Sequence, residues 1–400
     1  QVAATFEDLA ADQSVVESLR NQSGRLSVPR KLRVVLFRDA AEYQQTIDIP
    51  GVERSTGFYS DERQTTFLYA ADDDDAATRR HELVHQLFRE ATNSQLRRTM
   101  PAERSDFWIV EGIAGYFESL YFGRDAATVG GWDSPRLQFA RHRFFVGGDR
   151  MPMSQLREDG RLAAQQRSDI ARWYAHAIAQ THHLLDGGNS GQRRWTYDRL
   201  AELYKVKIEK SLGGEEPSDS DEILKFLSID DDHIARNPPQ RLLTRLCLAG
   251  CRVTPTGLNH IRPARQLRQL TLVGKSINSE SVKRLVANPD SIRQLSLERT
   301  GIDPDIANLL AQTTELRELD LSVTPVDDAV IEAIGNAKQL STLWMTGTKV
   351  TDQSIEVIAK LPSLENVDLQ QTGVSAAGIK RLKAAKPGLN LNPLQIQGPQ

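Results

Sequence analysis

The sequence predicts two domains of different class: an α+β domain over residues 1–238 and an α/β solenoid over residues 239–400. Three observations carry this. His81-Glu-Leu-Val-His85 lies among short apolar segments of mixed strand and helix character, and its two histidines, four apart, stack on one helix face. Beyond residue 240 leucines recur every 24 or 25 residues. Between these regions stands Pro238-Pro239, the breaker pair read as the boundary.

The elements of the first domain follow from local pattern. Phe6, Leu9, Val16 and Leu19 have roughly helical spacing, so residues 5–20 are read as a helix. Lys31–Phe37 is apolar and β-branched, a strand. A short helix follows over 40–47, then a hairpin of 57–60 and 65–70 around Asp61-Glu-Arg-Gln64. Asp72–Asp75 supply capping carboxylates at the start of a helix over 74–92, which Leu83, Val84, Leu87 and Phe88 anchor in the core. A second helix is expected over 105–122, stopped by Gly123, with Gly112 and Gly115 one turn apart. Glycine costs about 1 kcal/mol inside a helix, so this pair predicts close approach of another helix. Further helices are expected near 135–145, 165–186, 195–210 and 221–227, with a polar loop over 213–222.

In the second domain the middle anchors are Leu246, Leu270, Leu295, Leu319, Leu343 and Val367, with a partial copy at Leu389-Asn-Leu391. Six copies of L-x-x-L-x-L define leucine-rich repeats, each a short strand, a turn and a helix. Cys251, Lys275, Thr300, Thr324, Thr348 and Thr372 occupy one turn position, read as inward. Cys247, Thr271, Ser296, Asp320, Trp344 and Asp368 form one concave column beside Arg268, Arg293 and Arg317. A Trp beside an Arg stripe suits a protein partner, although Glu318 and Asp320 offset the charge. Cys247 and Cys251 are expected as free thiols.

Composition narrows the function classes. A net charge of −3 gives no basic field for nucleic acid, and no apolar run approaches membrane-spanning length. Two cysteines build no disulfide framework.

The chemistry centres on His81 and His85, which can share one metal ion, with Glu82 beside them as general base. A catalytic zinc site needs a third ligand, and the sequence offers Glu111 on the following helix. Glu118, two turns on, either orients a ligand or faces solvent, and the solvent reading is preferred; His182 and His183 are read as surface residues.

Residues 31–230 resemble the gluzincin superfamily of zinc metallopeptidases, and within it a bacterial branch known only as a domain of unknown function, often accompanied by leucine-rich repeats. The resemblance rests on His81-Glu-Leu-Val-His85 and Trp108-Ile-Val-Glu111-Gly-Ile-Ala-Gly-Tyr-Phe-Glu118; the gap between them is longer than in thermolysin-like enzymes. It implies a zincin-like fold, Zn2+ as cofactor, Glu111 as third ligand, and Tyr174 as the group facing the oxyanion, with His176 as the alternative. It also implies a peptide or protein substrate laid along an edge strand, either Gly57–Ser60 or Thr65–Ala70. The expected function is a zinc-dependent peptidase whose repeats bind a protein partner or substrate; the alternative is a non-enzymatic interaction module with a structural or inactive zincin domain. The chain starts at Gln1 without an initiator Met and is read as a trimmed or mature form. With the resemblance, that gives an expectation of export or association with the cell envelope.

Overall fold

The computed structural model describes residues 32–49, 52–70, 75–92, 100–122, 127–187, 189–206, 210–218 and 221–392. The helix expected over 5–20 and the aspartates 72–74 lie outside them. The chain is mixed α/β and forms two compact units. One runs to Arg136 and resumes over Arg150–Ile223; the other joins Leu137–Asp149 to the chain from Leu224 onward.

In the first unit, β1 (Arg33–Phe37), β2 (Gly57–Ser60) and β3 (Thr65–Tyr69) form a sheet in the order β1-β3-β2. β1 pairs parallel to β3 with Val35 opposite Phe67, and β2 pairs antiparallel with Phe58 opposite Phe67. The hairpin is therefore as expected, but Thr65–Tyr69 is the central strand, and only β2 of the hairpin lies at an edge. α1 (Ala40–Thr46) covers one face: its Tyr43 is fully buried among Phe37, Phe58 and Tyr69. Asp39 caps it by accepting from the Glu42 amide.

α2 (Asp75–Ala91) carries the two histidines. Val84 and Leu87 are buried, whereas Leu83 and Phe88 are half-buried. Two polar residues also turn inward. Gln86 accepts from Thr66 Oγ1 on the central strand (2.8 Å), and Arg89 grips both oxygens of Asp61 in the hairpin turn (2.7 and 2.5 Å). The helix is thus tied to the sheet by side-chain bonds as well as by apolar contact.

α3 (Phe107–Glu118) is buried on every side. It begins at Asp106, which holds a left-handed backbone (φ 59°) and receives Arg199 and Trp108 Nε1 on its carboxylate. It ends at Ser119, sooner than Gly123, and the chain turns into the small ribbon of β4 (Tyr121–Phe122) and β5 (Ala127–Thr128). After α4 (Pro135–Phe145) come α5 (Met153–Glu158), α6 (Arg161–Gln165), α7 (Ile170–Asp186) and α8 (Ser190–Leu203). The single helix expected over 165–186 is broken before Ile170, where Arg167 bonds Asp159 and Asp169. α7 packs against α3 where α3 carries only glycine, at Gly112 and Gly115. A Cβ on Gly112 would overlap Thr181 Oγ1 and lie 3.0 Å from the Ala177 carbonyl oxygen, and one on Gly115 would lie 2.5 Å from Ile178 Cδ1.

The second unit is the repeat solenoid. α9 (Glu222–Leu227) and α10 (Asp231–Arg236) lead into seven three- or two-residue strands: β6 (Arg245–Cys247), β7 (Gln269–Thr271), β8 (Gln294–Ser296), β9 (Glu318–Asp320), β10 (Thr342–Trp344), β11 (Asn366–Asp368) and β12 (Asn390–Leu391). They form one parallel sheet in chain order, each anchor leucine or valine opposite the next. Thr300, Thr348 and Thr372 hydrogen-bond the strand carbonyl three residues back (2.6, 2.8 and 2.7 Å), which lets a polar residue sit at that turn. Lys275 at the same position is exposed rather than inward, because an ammonium has no such partner there. On the helix side, Asp231, Asp328 and Asp352 each accept from the amide and hydroxyl of the Thr or Ser one repeat on, at Thr254, Thr351 and Ser375.

That ladder starts at Asp231, so the solenoid begins before Pro238-Pro239. Its first strand is capped by residues far back in the sequence. Gln138 accepts from the Cys247 amide (2.7 Å), and Arg141 donates to the carbonyls of Cys247 and Leu227 (3.1 and 2.8 Å). Phe145 closes on Gly250. The unpaired edge of β6 is thus satisfied by side chains of α4. Cys247 and Cys251 are free thiols. In the concave column Cys247, Thr271 and Asp368 are buried and Trp344 is half-buried, while Arg268 and Arg317 are exposed.

Candidate metal centre

The site is built by two helices. α2 presents His81, Glu82 and His85 on adjoining faces, and α3 brings Glu111 to them. His81 Nε2 lies 3.1 Å from Glu111 Oε2, and His85 Nε2 lies 3.6 Å from Glu111 Oε1. The three ligand atoms fall within 4.8 Å of one another. The imidazoles meet nearly edge to face, with ring centroids 4.8 Å apart.

Glu118 completes the arrangement and does not face solvent. It is buried, and its Oε1 lies 2.9 Å from His81 Nδ1. Seven residues fall about 20° short of two helical turns, so Glu111 and Glu118 share one face and bracket the His81 ring. Arg136 holds Glu118 in turn, with Nε 2.5 Å from Oε2 and Nη2 3.2 Å from Oε1. Arg80 donates to the Glu118 carbonyl (3.0 Å).

This geometry allows a test of whether a cation fits. Glu118 accepts a hydrogen bond from His81 Nδ1–H, so a neutral ring turns its Nε2 lone pair toward Glu111. His85 Nε2 also approaches that carboxylate. Acceptors converge on one buried point, and such an arrangement needs a positive charge, either protons or a metal ion. Two imidazoles and a carboxylate are a ligand set suited to zinc. The titration behaviour expresses the same demand. Burial works against the charged form of His81, but bonds and charge from Glu111 and Glu118 outweigh it and raise the pKa to about 10. Burial likewise opposes the charge on Glu111, yet His85 and His81 hold its carboxyl well below the usual range.

Glu82 stands apart from this bonded set. Burial pushes its pKa up, partly countered by the charges of His85 and His81 and by a hydrogen bond from the Tyr59 backbone. Edge strand β2 therefore runs beside the carboxylate. Tyr174, on α7, reaches the site: its hydroxyl hydrogen-bonds Glu111, and burial followed by the Glu111 charge raises its pKa well above the phenol range. His176 turns back on its own helix, with Nδ1 2.9 Å from the Arg172 carbonyl oxygen. His182 and His183 are not on the surface; both are buried. His182 packs edge to face on Tyr116 (4.7 Å between centroids) and lies 3.4 Å from Asp186, which also accepts from Tyr116 (2.6 Å). Among the described residues, His81, His85 and Glu111 are the one group disposed to hold a metal.

Residues 75–233, which include all of these side chains, match the protein family described as "Protein of unknown function (DUF1570)". No curated protein matches the chain. Among solved structures it is similar to a leucine-rich-repeat protein of Leptospira interrogans, with 16% identity, TM-score 0.25, and 49% of this chain and 45% of that one covered. It is also similar to an internalin of Listeria monocytogenes, with 16% identity, TM-score 0.26, and 38% and 48% covered. The chain thus spans less than half the length of either.

Proposed function

We propose that the first unit is a zincin-like, zinc-dependent peptidase and that the repeats bind its protein substrate or a protein partner. The observation that carries this reading is the convergence of His81, His85 and Glu111, with the carboxylate of Glu82 beside them and outside the set they form. A zinc ion held by those three residues supplies Lewis acidity for hydrolysis of an amide. Glu82 takes the proton from the attacking water and passes it to the leaving nitrogen. Tyr174 gives its hydroxyl proton in a hydrogen bond to the oxyanion that develops on the scissile carbonyl. β2 is the strand edge beside Glu82, and among the described residues no strand pairs with its outer side. An extended substrate can bond there through its main chain.

Metal analysis of purified protein beside His81→Ala tests the site. About one zinc per chain, lost in the variant, supports it; no zinc after repletion at neutral pH would favour the interaction-module reading instead. Glu82→Gln should retain zinc and lose hydrolysis of a peptide library by about 10²–10⁴-fold. Tyr174→Phe should lower kcat by about 10²–10³-fold. Full activity in Glu82→Gln would sink the mechanism.

A further inference from the structure

We infer that Arg136 is a positioning residue for the metal centre: by gripping both oxygens of Glu118 it holds that carboxylate against His81 Nδ1 and so keeps Nε2 turned toward Glu111. The inference deepens the metal reading above and rests on it.

Four observations lead to it. The Glu118 side chain is only 5% exposed, so its charge needs a partner. Its Oε1 is shared between His81 (2.9 Å) and Arg136 Nη2 (3.2 Å), while Oε2 is held by Arg136 Nε (2.5 Å). The carboxylate therefore has no freedom to rotate away from the imidazole. The nearby Arg80 holds the Glu118 main chain, donating to its carbonyl (3.0 Å). Finally, Arg136 sits in the first turn of α4, directly after Pro135, whose ring fixes the backbone at the helix start, and it reaches Glu118 at the last residue of α3. A planar guanidinium makes such a two-pronged contact and a lysine ammonium does not. The Arg136 side chain is 47% exposed, which makes it the solvent-facing end of an otherwise buried relay from Arg136 through Glu118 to His81.

The test uses the full chain, stripped of metal and titrated with Zn2+ and with Co2+, whose visible absorption reports ligand geometry. Arg136→Gln should bind either ion about 10–100-fold more weakly and shift the cobalt band. Arg136→Lys keeps a charge for Glu118, which protects the fold, and should recover only part of the loss. In a Glu118→Gln background the further change Arg136→Gln should cost almost nothing, because the arginine acts through that carboxylate. Circular dichroism establishes that each variant is folded. Wild-type affinity and cobalt spectrum in folded Arg136→Gln or in Arg136→Lys would overturn the inference and leave the metal site standing. An equal loss with and without Glu118 would also overturn it. Failure of the wild-type chain to bind either ion would overturn the metal reading and this inference together.

Discussion

His81 is constrained at both ring nitrogens, by Glu118 at Nδ1 and Glu111 at Nε2, so its orientation is set before any ligand arrives. A different histidine adds to the acid sensitivity of the second unit. In α4, burial, helped by the charges of Arg245 and Arg143, holds His142 down at about 4. The unfolded chain titrates near 6.5 and so binds this proton more tightly than the folded one. The neutral ring contributes stability above about pH 6.5, and that contribution is lost as the pH falls toward 4, up to about 3 kcal/mol. His142→Gln should flatten this part of the profile. Denaturant titrations of the repeat transition between pH 7 and 4.5 will show it; equal slopes in both proteins would refute it. At this scale the sequence was legible where spacing decides. The i, i+4 histidines and a glutamate on the next helix met as expected. Glu118, His182 and His183 were misjudged because a polar residue on a helix reads as solvent-facing. α3 and most of α7 have no solvent face, and the cover over Glu118 comes from Arg136, which no local pattern announces.

The α3–α7 crossing shows how an element can be designed around what is missing. Gly112 and Gly115 look alike in sequence but face different neighbours. Gly112→Ala meets a hydroxyl and a carbonyl oxygen of α7 that cannot yield without moving the helix, so it should destabilise the first unit by about 1–3 kcal/mol despite the gain in helix propensity. It should also widen the gap between Tyr174 and Glu111. Gly115→Ala meets the tip of Ile178, which can rotate, and should be within about 1 kcal/mol of wild type. Thermal unfolding of the two variants checks the order; equal effects would mean that the crossing is not set by backbone contact. Helix boundaries were harder to read than helix existence. α3 starts on a left-handed Asp106 held by Arg199, a residue 93 positions away, and stops at Ser119 through local bonds that outbid Gly123.

At the scale of the molecule, the repeats were readable from their period, but their start was not. Ile229-Asp-Asp-Asp-His-Ile234 has the same spacing as Val326-Asp-Asp-Ala-Val-Ile331, and both isoleucines of the first segment are buried like their counterparts. The proline pair that looks like a linker lies inside the solenoid's first turn. The cap formed by residues 137–149 is invisible to any reading that assumes a domain is one stretch of chain. A chain ended at 223 should therefore expose the apolar side of α4 and orphan Gln138 and Arg141. It should bind a hydrophobic dye and scatter light. Replacing 137–149 by a flexible linker in that shortened chain should remove both signs, and a monodisperse, dye-free 1–223 chain would contradict this.

The divided second unit also has a history in time. Residues 137–149 leave the ribosome about a hundred residues before the end of β6, the strand they cap. At about 5–20 residues per second that wait is on the order of ten seconds. Through it the cap helix, with Leu137, Ala140 and Phe144 destined for burial, has nothing to close. The first unit meanwhile must fold around a loop that belongs to something not yet made. A solenoid joined to this chain by a simple tail fusion after residue 223 would therefore meet a lid shaped for a different first strand.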